Sequence, residues 1–193
     1  MSITIRPLTP GLADDFLHFF DHVAFCDHQD WAGCYCMEGH RKSGDDLFSY
    51  FGQKNRACAR ELILSGRMHG YLAYDGDQVI GWCNADNKRN YLYLTTNASC
   101  WPRKDEGLRI MSMYCLTIAP QRRRQGLGTM LLQRVIADAA AQGYDLVEAY
   151  PWQEDSTEYA YHGTARMLER LGFERAGEFR DQHSDMHIYQ KRL

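Results

Sequence analysis

The run Arg123-Arg124-Gln125-Gly126-Leu127-Gly128 combines cations, two positions without a side chain and the approach to an apolar helix. That combination suits an anion. Backbone N–H groups in a helix's first turn have no internal partner, and the helix dipole adds positive potential there. Gly126 and Gly128 would let phosphate oxygens approach the backbone. Arg122, Arg123 and Arg124 would supply charged donors, and Thr129 a hydroxyl. Two common phosphate loops do not fit. A Walker loop needs a lysine after its last glycine, and a dinucleotide fingerprint needs a third glycine where Leu131 stands. The fingerprint also belongs to the first strand–helix unit of a parallel sheet, and this loop comes late.

Other residues could move protons. Glu148 lies in the apolar run Leu146-Val147-Glu148-Ala149-Tyr150, where a carboxylate is costly unless paired or useful. A structural partner such as an arginine and a role as general base are both open. Strand alternation puts Glu148 and Tyr150 on one face. A carboxylate among apolar neighbours takes up a proton more readily, which suits a base. Tyr159, Tyr161 and His162 open the last expected helix, where such residues mostly cap and pack. Cys34 and Cys36, with His28 and His40, suggest zinc, but no second cysteine pair completes a zinc spacing. No metal is expected, and Trp31 to His40 reads instead as a wall of a pocket. Cys115, in an apolar strand, reads as a small core residue.

The elements that position these residues follow from periodicity. Residues 2–8 alternate as a strand. Thr9-Pro10 starts a helix, with Leu12, Phe16, Phe19 and Val23 on one face. Residues 26–44 are irregular, and a helix is expected over 45–65, ending at Gly66. Strands at 68–75 and 78–85 flank an Asp-Gly turn. Residues 86–108 read as a loop with local helix. The apolar strand 109–118, stopped at Ala119-Pro120, should be central. A helix follows from about Gly128, with Leu127, Leu131, Val135 and Ala139 on one face and Gly143 as its C-terminal cap. Then come a strand over 144–150, a helix over 157–171 and a closing strand pair.

Loop, strand and order of elements together resemble the GCN5-related N-acetyltransferase (GNAT) family. Arg123, Gly126 and Gly128 fill the defined places of its Arg/Gln-x-x-Gly-x-Gly/Ala pattern. Ile118-Ala119-Pro120 and Leu171-Gly172-Phe173 are similar to its members as well. The resemblance implies an α/β (α+β) fold: a central mixed, mostly antiparallel sheet of about seven strands, helices on both faces, and a splay between the fourth and fifth strands. It implies acetyl-CoA as cosubstrate, with pyrophosphate on Arg123, Arg124, Gln125, Gly126, Leu127, Gly128 and Thr129. Pantetheine would bond the backbone of Leu116, Thr117 and Ile118, and an amide there would hold the oxyanion. Members of the family often carry an acidic tyrosine where this chain has Leu168. Tyr161, about two turns earlier, would then be the acid and Glu148 the base. The acceptor would be a primary amine on a small molecule or peptide. Aminoglycoside, polyamine, amino acid and protein N-terminus all remain open. Homodimers are common in the family, so a homodimer is one expected assembly.

Composition narrows the alternatives. The chain of 193 residues, 45% apolar, fits one domain over residues 1–193. A net charge of −3 provides no bulk attraction to nucleic acid or anionic membrane. An arginine-dependent RNA-binding module is therefore disfavoured, and no apolar stretch approaches a bilayer span. Seven cysteines, an odd number, read as reduced thiols. Met1 to Pro10 lacks a secretory pattern, so the expected compartment is the cytoplasm. The missing tyrosine keeps one rival in play, a non-catalytic acyl-CoA-binding or sensor protein on the same fold.

Overall fold

A computed structural model describes residues 3–101, 105–152, 160–180 and 185–193. Its strands are β1 (Ile3–Pro7), β2 (Gly70–Asp75), β3 (Gln78–Asn87), β4 (Ile110–Ile118), β5 (Leu146–Ala149), β6 (Glu174–Arg180) and β7 (Asp185–Arg192). They form one seven-stranded sheet in the order β1-β2-β3-β4-β5-β7-β6. Only the central β4–β5 pair is parallel; the pairings on either side are antiparallel. The fold class is therefore the expected one.

The helices are α1 (Ala13–His22), α2 (Gln53–Leu64), α3 (Leu92–Thr96), α4 (Leu127–Ala141) and α5 (Ala165–Arg170). Neighbouring residues of β3 show that they cover both faces. Trp82 meets Phe16 of α1 edge-on at 4.9 Å. A Cβ on Gly81 would instead touch Leu127 and Leu131 of α4. Strand alternation thus sends one core toward α1 and another toward α4. Among the described residues no helix is long and apolar enough to cross a membrane.

Two expected helices are shorter than the sequence suggested. The helix over 45–65 is broken at Gly52, whose φ is 78°. There the Gly52 amide bonds the Gly33 carbonyl at 3.1 Å, and a Cβ on Gly33 would lie 2.5 Å from that amide nitrogen. Two glycines let the chains meet, and that tertiary contact outweighs local helix propensity. The helix over 157–171 starts only at Ala165, capped by Thr164, whose side chain accepts from the Met167 amide. Gly163, at φ 80°, ends the turn before it. Tyr159 lies outside the described residues, and Tyr161 and His162 sit in the turn, not in a helix.

β4 carries the feature that shapes the site. Its register with β3 shifts so that Cys115 faces Asn84 while Met113 faces Ala85. Tyr114 is thus the extra residue of a β-bulge, which bends the strand locally. β5 stays paired with β4 only from Ile110↔Leu146 to Met113↔Ala149. Beyond it, Pro151 gives its carbonyl to His187, and Trp152 bridges Met186. The chain therefore turns toward β7, and β4 and β5 part at Tyr114.

Candidate active site

The glycine loop lies at the end of β4. Arg124 has a left-handed φ of 62° and Gly126 one of 82°. Gly126 is the N-cap of α4, and the helical ladder begins with the Met130 amide on the Gly126 carbonyl at 3.0 Å. The amides of Leu127, Gly128 and Thr129 precede that first rung and have no intrahelical acceptor. The two glycines serve different purposes. A Cβ on Gly126 would meet nothing within 4 Å, so this face is open, whereas one on Gly128 would press on Leu116 Cδ2 at 3.1 Å. Gly126 supplies the turn and the access; Gly128 lets α4 pack against β4.

The three arginines are not a common pool of donors, as the sequence suggested. Arg122 pairs with Asp75. Arg123 clamps Asp27 with contacts of 2.5 and 3.2 Å and donates to the Ile118 carbonyl at 3.2 Å. Gln125 donates to the Gln121 carbonyl at 2.9 Å. Arg124 is exposed, and among the described residues nothing holds its guanidinium. Arg122, Arg123 and Gln125 thus brace the loop, and Arg124 is its available cation.

The expectation for Leu116, Thr117 and Ile118 needs one correction. The Ala119 amide bonds Ile80 of β3 at 3.0 Å, while the Leu116 amide points away from β3. Antiparallel alternation then turns the Thr117 backbone toward β3 as well. Only Leu116 and Ile118 face the splay. The Leu116 amide donates there to the Tyr161 carbonyl at 2.5 Å. The Tyr161 ring packs on Phe25 and Trp31, with centroids 5.3 and 5.7 Å away. Leu168, where the family often has tyrosine, is fully buried.

Glu148 is not among apolar neighbours, as the general-base reading assumed. It is fully buried with Lys88, whose Nζ lies 2.5 Å from Oε1. Tyr150 donates to Oε1 at 2.6 Å and Gln190 to Oε2 at 2.7 Å. Ser112 in turn meets the Tyr150 hydroxyl. Lys88 also donates to the Cys100 carbonyl at 2.5 Å and lies over Trp101. Glu148 and Tyr150 do share a face, and the structural partner is a lysine rather than an arginine. The sequence carried no sign of Lys88, which stands 60 residues away in a segment read as loop.

Next to the splay stands a pair the sequence did not bring together. His162 Nδ1 lies 2.5 Å from the Tyr114 carbonyl, at the bulge. Its Nε2 is 3.9 Å from Glu38 Oε2. Cys34 and Cys36 are held as neutral thiols by contrast. Burial pushes the Cys34 thiol up to about 12 and the Cys36 thiol well above its ordinary value. Cys36 Sγ accepts from Asn84 Nδ2 at 3.2 Å. Among the described residues no group of three His, Cys, Asp or Glu side chains could hold a metal.

The parting of β4 from β5 and the glycine loop that opens α4 thus stand together at one end of the sheet. A sequence model of the Acetyltransferase (GNAT) family matches residues 28–173, most of the chain. The chain belongs to that family. Solved structures agree in fold along their full length. A PaiA N-acetyltransferase from Thermoplasma acidophilum, in complex with coenzyme A, is 15% identical at a TM-score of 0.60, with 100% of each chain covered. A Drosophila melanogaster polyamine N-acetyltransferase that forms N-acetylagmatine is 14% identical at 0.60, again with 100% of each covered. A mosquito arylalkylamine N-acetyltransferase-like protein is 14% identical at 0.62, with the same coverage. No curated protein matches the chain in sequence.

Proposed function

We propose that residues 1–193 form one N-acetyltransferase domain that moves acetyl from acetyl-CoA to a primary amine by direct attack in a ternary complex. The observation that carries this reading is the open Gly126 face at the N-terminus of α4, beside the exposed Arg124 and the parting of β4 from β5. Pyrophosphate would lie on the amides of Leu127, Gly128 and Thr129, near the Thr129 hydroxyl, with Arg124 as cation. Arg123 and Gln125 would hold the loop in shape. Pantetheine would run along Leu116 and Ile118, and the thioester carbonyl oxygen would replace the Tyr161 carbonyl on the Leu116 amide, which then holds the oxyanion. Tyr161 would protonate the leaving thiolate in place of the absent tyrosine. Glu148 would be a structural anchor. Solved relatives that act on agmatine and polyamines favour a small amine as acceptor. All seven thiols are free, which fits a reducing compartment such as the cytoplasm.

The test is thiol release from acetyl-CoA across a panel of small amines, with calorimetric binding of acetyl-CoA beside it. Transfer to at least one amine is expected. Two observations favour the rival sensor reading: the Leu116 amide is already bonded to Tyr161, and Leu168 stands where the usual acid would be. Tight acetyl-CoA binding with no thiol release on any amine would favour the sensor.

A further inference from the structure

We propose that His162 and Glu38 form the proton-accepting pair for acetyl transfer, with His162 Nε2 as the atom that takes the proton; this rests on the acetyltransferase reading above. A carbonyl oxygen only accepts, so the short contact with Tyr114 puts the proton of His162 on Nδ1. In the neutral ring Nε2 then carries the lone pair, and this nitrogen is the one that faces Glu38.

The ring is fixed in place. It is 5% exposed and meets the rings of Tyr114 and Trp152 edge-on at 5.6 and 5.8 Å. Gly163 provides the turn that brings it there: its φ is 80°, and a Cβ on it would meet Met167 Cε of α5 at 2.9 Å and Met113 Cε of β4 at 3.6 Å. Tyr114 is two residues before Leu116, about 7 Å along a strand. His162 therefore stands beside the amide proposed for the oxyanion. Glu38 is one-third exposed at its side chain, at 33%, against 7% for His162. It links a buried base to water. Among the described residues, the Glu38 carboxylate from the 26–44 segment and the Tyr114 phenol from β4, which burial holds well above its ordinary value, face His162.

In the reaction the amine nitrogen bonds the thioester carbon, and the C–S bond breaks with its electron pair on sulfur. One amine proton passes to His162 Nε2 and on to water by way of Glu38. The thiolate takes one proton from Tyr161, which regains it from water. Amine and thioester become amide and thiol.

His162→Asn separates chemistry from architecture, because its amide can still donate to the Tyr114 carbonyl while the basic nitrogen is gone. Acetyl-CoA affinity and melting temperature should stay near wild type, and turnover on agmatine, spermidine or 2-phenylethylamine should fall by about 10²- to 10⁴-fold. The wild-type rise of kcat/KM with pH should vanish in His162→Asn and move to lower pH in Glu38→Gln, since a nearby carboxylate favours the imidazolium. Histidine ¹⁵N NMR provides an arm that needs no acceptor. It should show His162 protonated on Nδ1 and bare on Nε2 when the ring is neutral. Wild-type rate and pH profile in His162→Asn would overturn the pair alone, as would a neutral ring protonated on Nε2. Failure of wild type to bind acetyl-CoA would count against the acetyltransferase reading and the pair together.

Discussion

Two carboxylates stand at opposite ends of one aromatic cluster, and they are held in opposite ways. Glu148 is fully buried, and Lys88, Tyr150 and Gln190 occupy both of its oxygens at 2.5 to 2.7 Å. Glu38 is partly exposed and lies 3.9 Å from His162. Tyr150 and Tyr114, whose ring centroids are 6.0 Å apart, join the two. A carboxylate held by a lysine, a tyrosine and a glutamine is engaged at both oxygens and costly to pull away from its partners, whereas one at long range can tune a base and pass its proton on. A buried position within reach of the reaction therefore does not make a residue reactive; the occupancy of its hydrogen-bond sites decides.

The sharpest way to break this comparison is to empty one side of the Glu148 site. Lys88→Met leaves Glu148 buried without its cation, and Glu148→Gln leaves Lys88 without its anion. Each should lower stability by about 3–5 kcal/mol in urea denaturation. The double variant should recover most of that loss. A single-variant cost below about 1 kcal/mol, the level of a surface pair, would show that Glu148 and Lys88 do not anchor each other. Folded Glu148→Gln should also retain turnover within a few fold. A loss of about 10²-fold would return Glu148 to the chemistry.

Asp21 provides an intermediate case, well paired but near the surface. Arg56 donates to it three times and Tyr35 once. The Arg56 hydrogen bond holds this carboxyl below its usual range against the upward push of burial, and Tyr35 adds to the lowering. Its stabilisation is therefore present above the unfolded value of about 3.9 and is lost as pH falls through the lower folded value. Wild type should lose stability over that acid range, and Asp21→Asn should show the loss already at neutral pH. Identical acid limbs in the two proteins would contradict this.

The glycine loop sharpens the same contrast between occupied and available groups. Arg124→Ala should weaken acetyl-CoA binding by about 1–2 kcal/mol, roughly five- to thirtyfold, and less at high salt. Arg123→Ala should mainly lower the melting temperature, because Arg123 holds Asp27 and Ile118. Equal effects of the two on affinity would erase the distinction. The smallest effect is expected at Thr164, whose hydroxyl caps α5 behind the His162 turn. Thr164→Ala should lower stability by about 1 kcal/mol.

Much of the fold was legible in the sequence because its signals are local. Alternation set the strands, Asp75-Gly76 set the hairpin, and the apolar stripe from Leu127 to Ala139 set α4. The loop was legible for the same reason, since its glycines and arginines are consecutive. The glycines' separate roles were not, because the contact of Gly128 with Leu116 is tertiary. The start of α5 was missed although Gly163-Thr164 carries a turn and a cap; the spacing of Tyr161 and Leu168 looked helical and concealed it. Lys88 with Glu148, and Glu38 with His162, are joined only by the sheet and its covering segments. No window of sequence contains either pair.

Calorimetric titration of acetyl-CoA into wild type and Gly126→Asp tests the central claim most directly. The aspartate would place a negative side chain on the open face at the start of α4. An L-residue at this left-handed φ of 82° should cost only about 1–2 kcal/mol, so the variant should remain folded. Wild type should bind, and the folded variant should lose at least about a hundredfold in affinity, roughly 2.7 kcal/mol. Equal affinity in the two would show that the loop from Arg123 to Thr129 does not hold the cosubstrate.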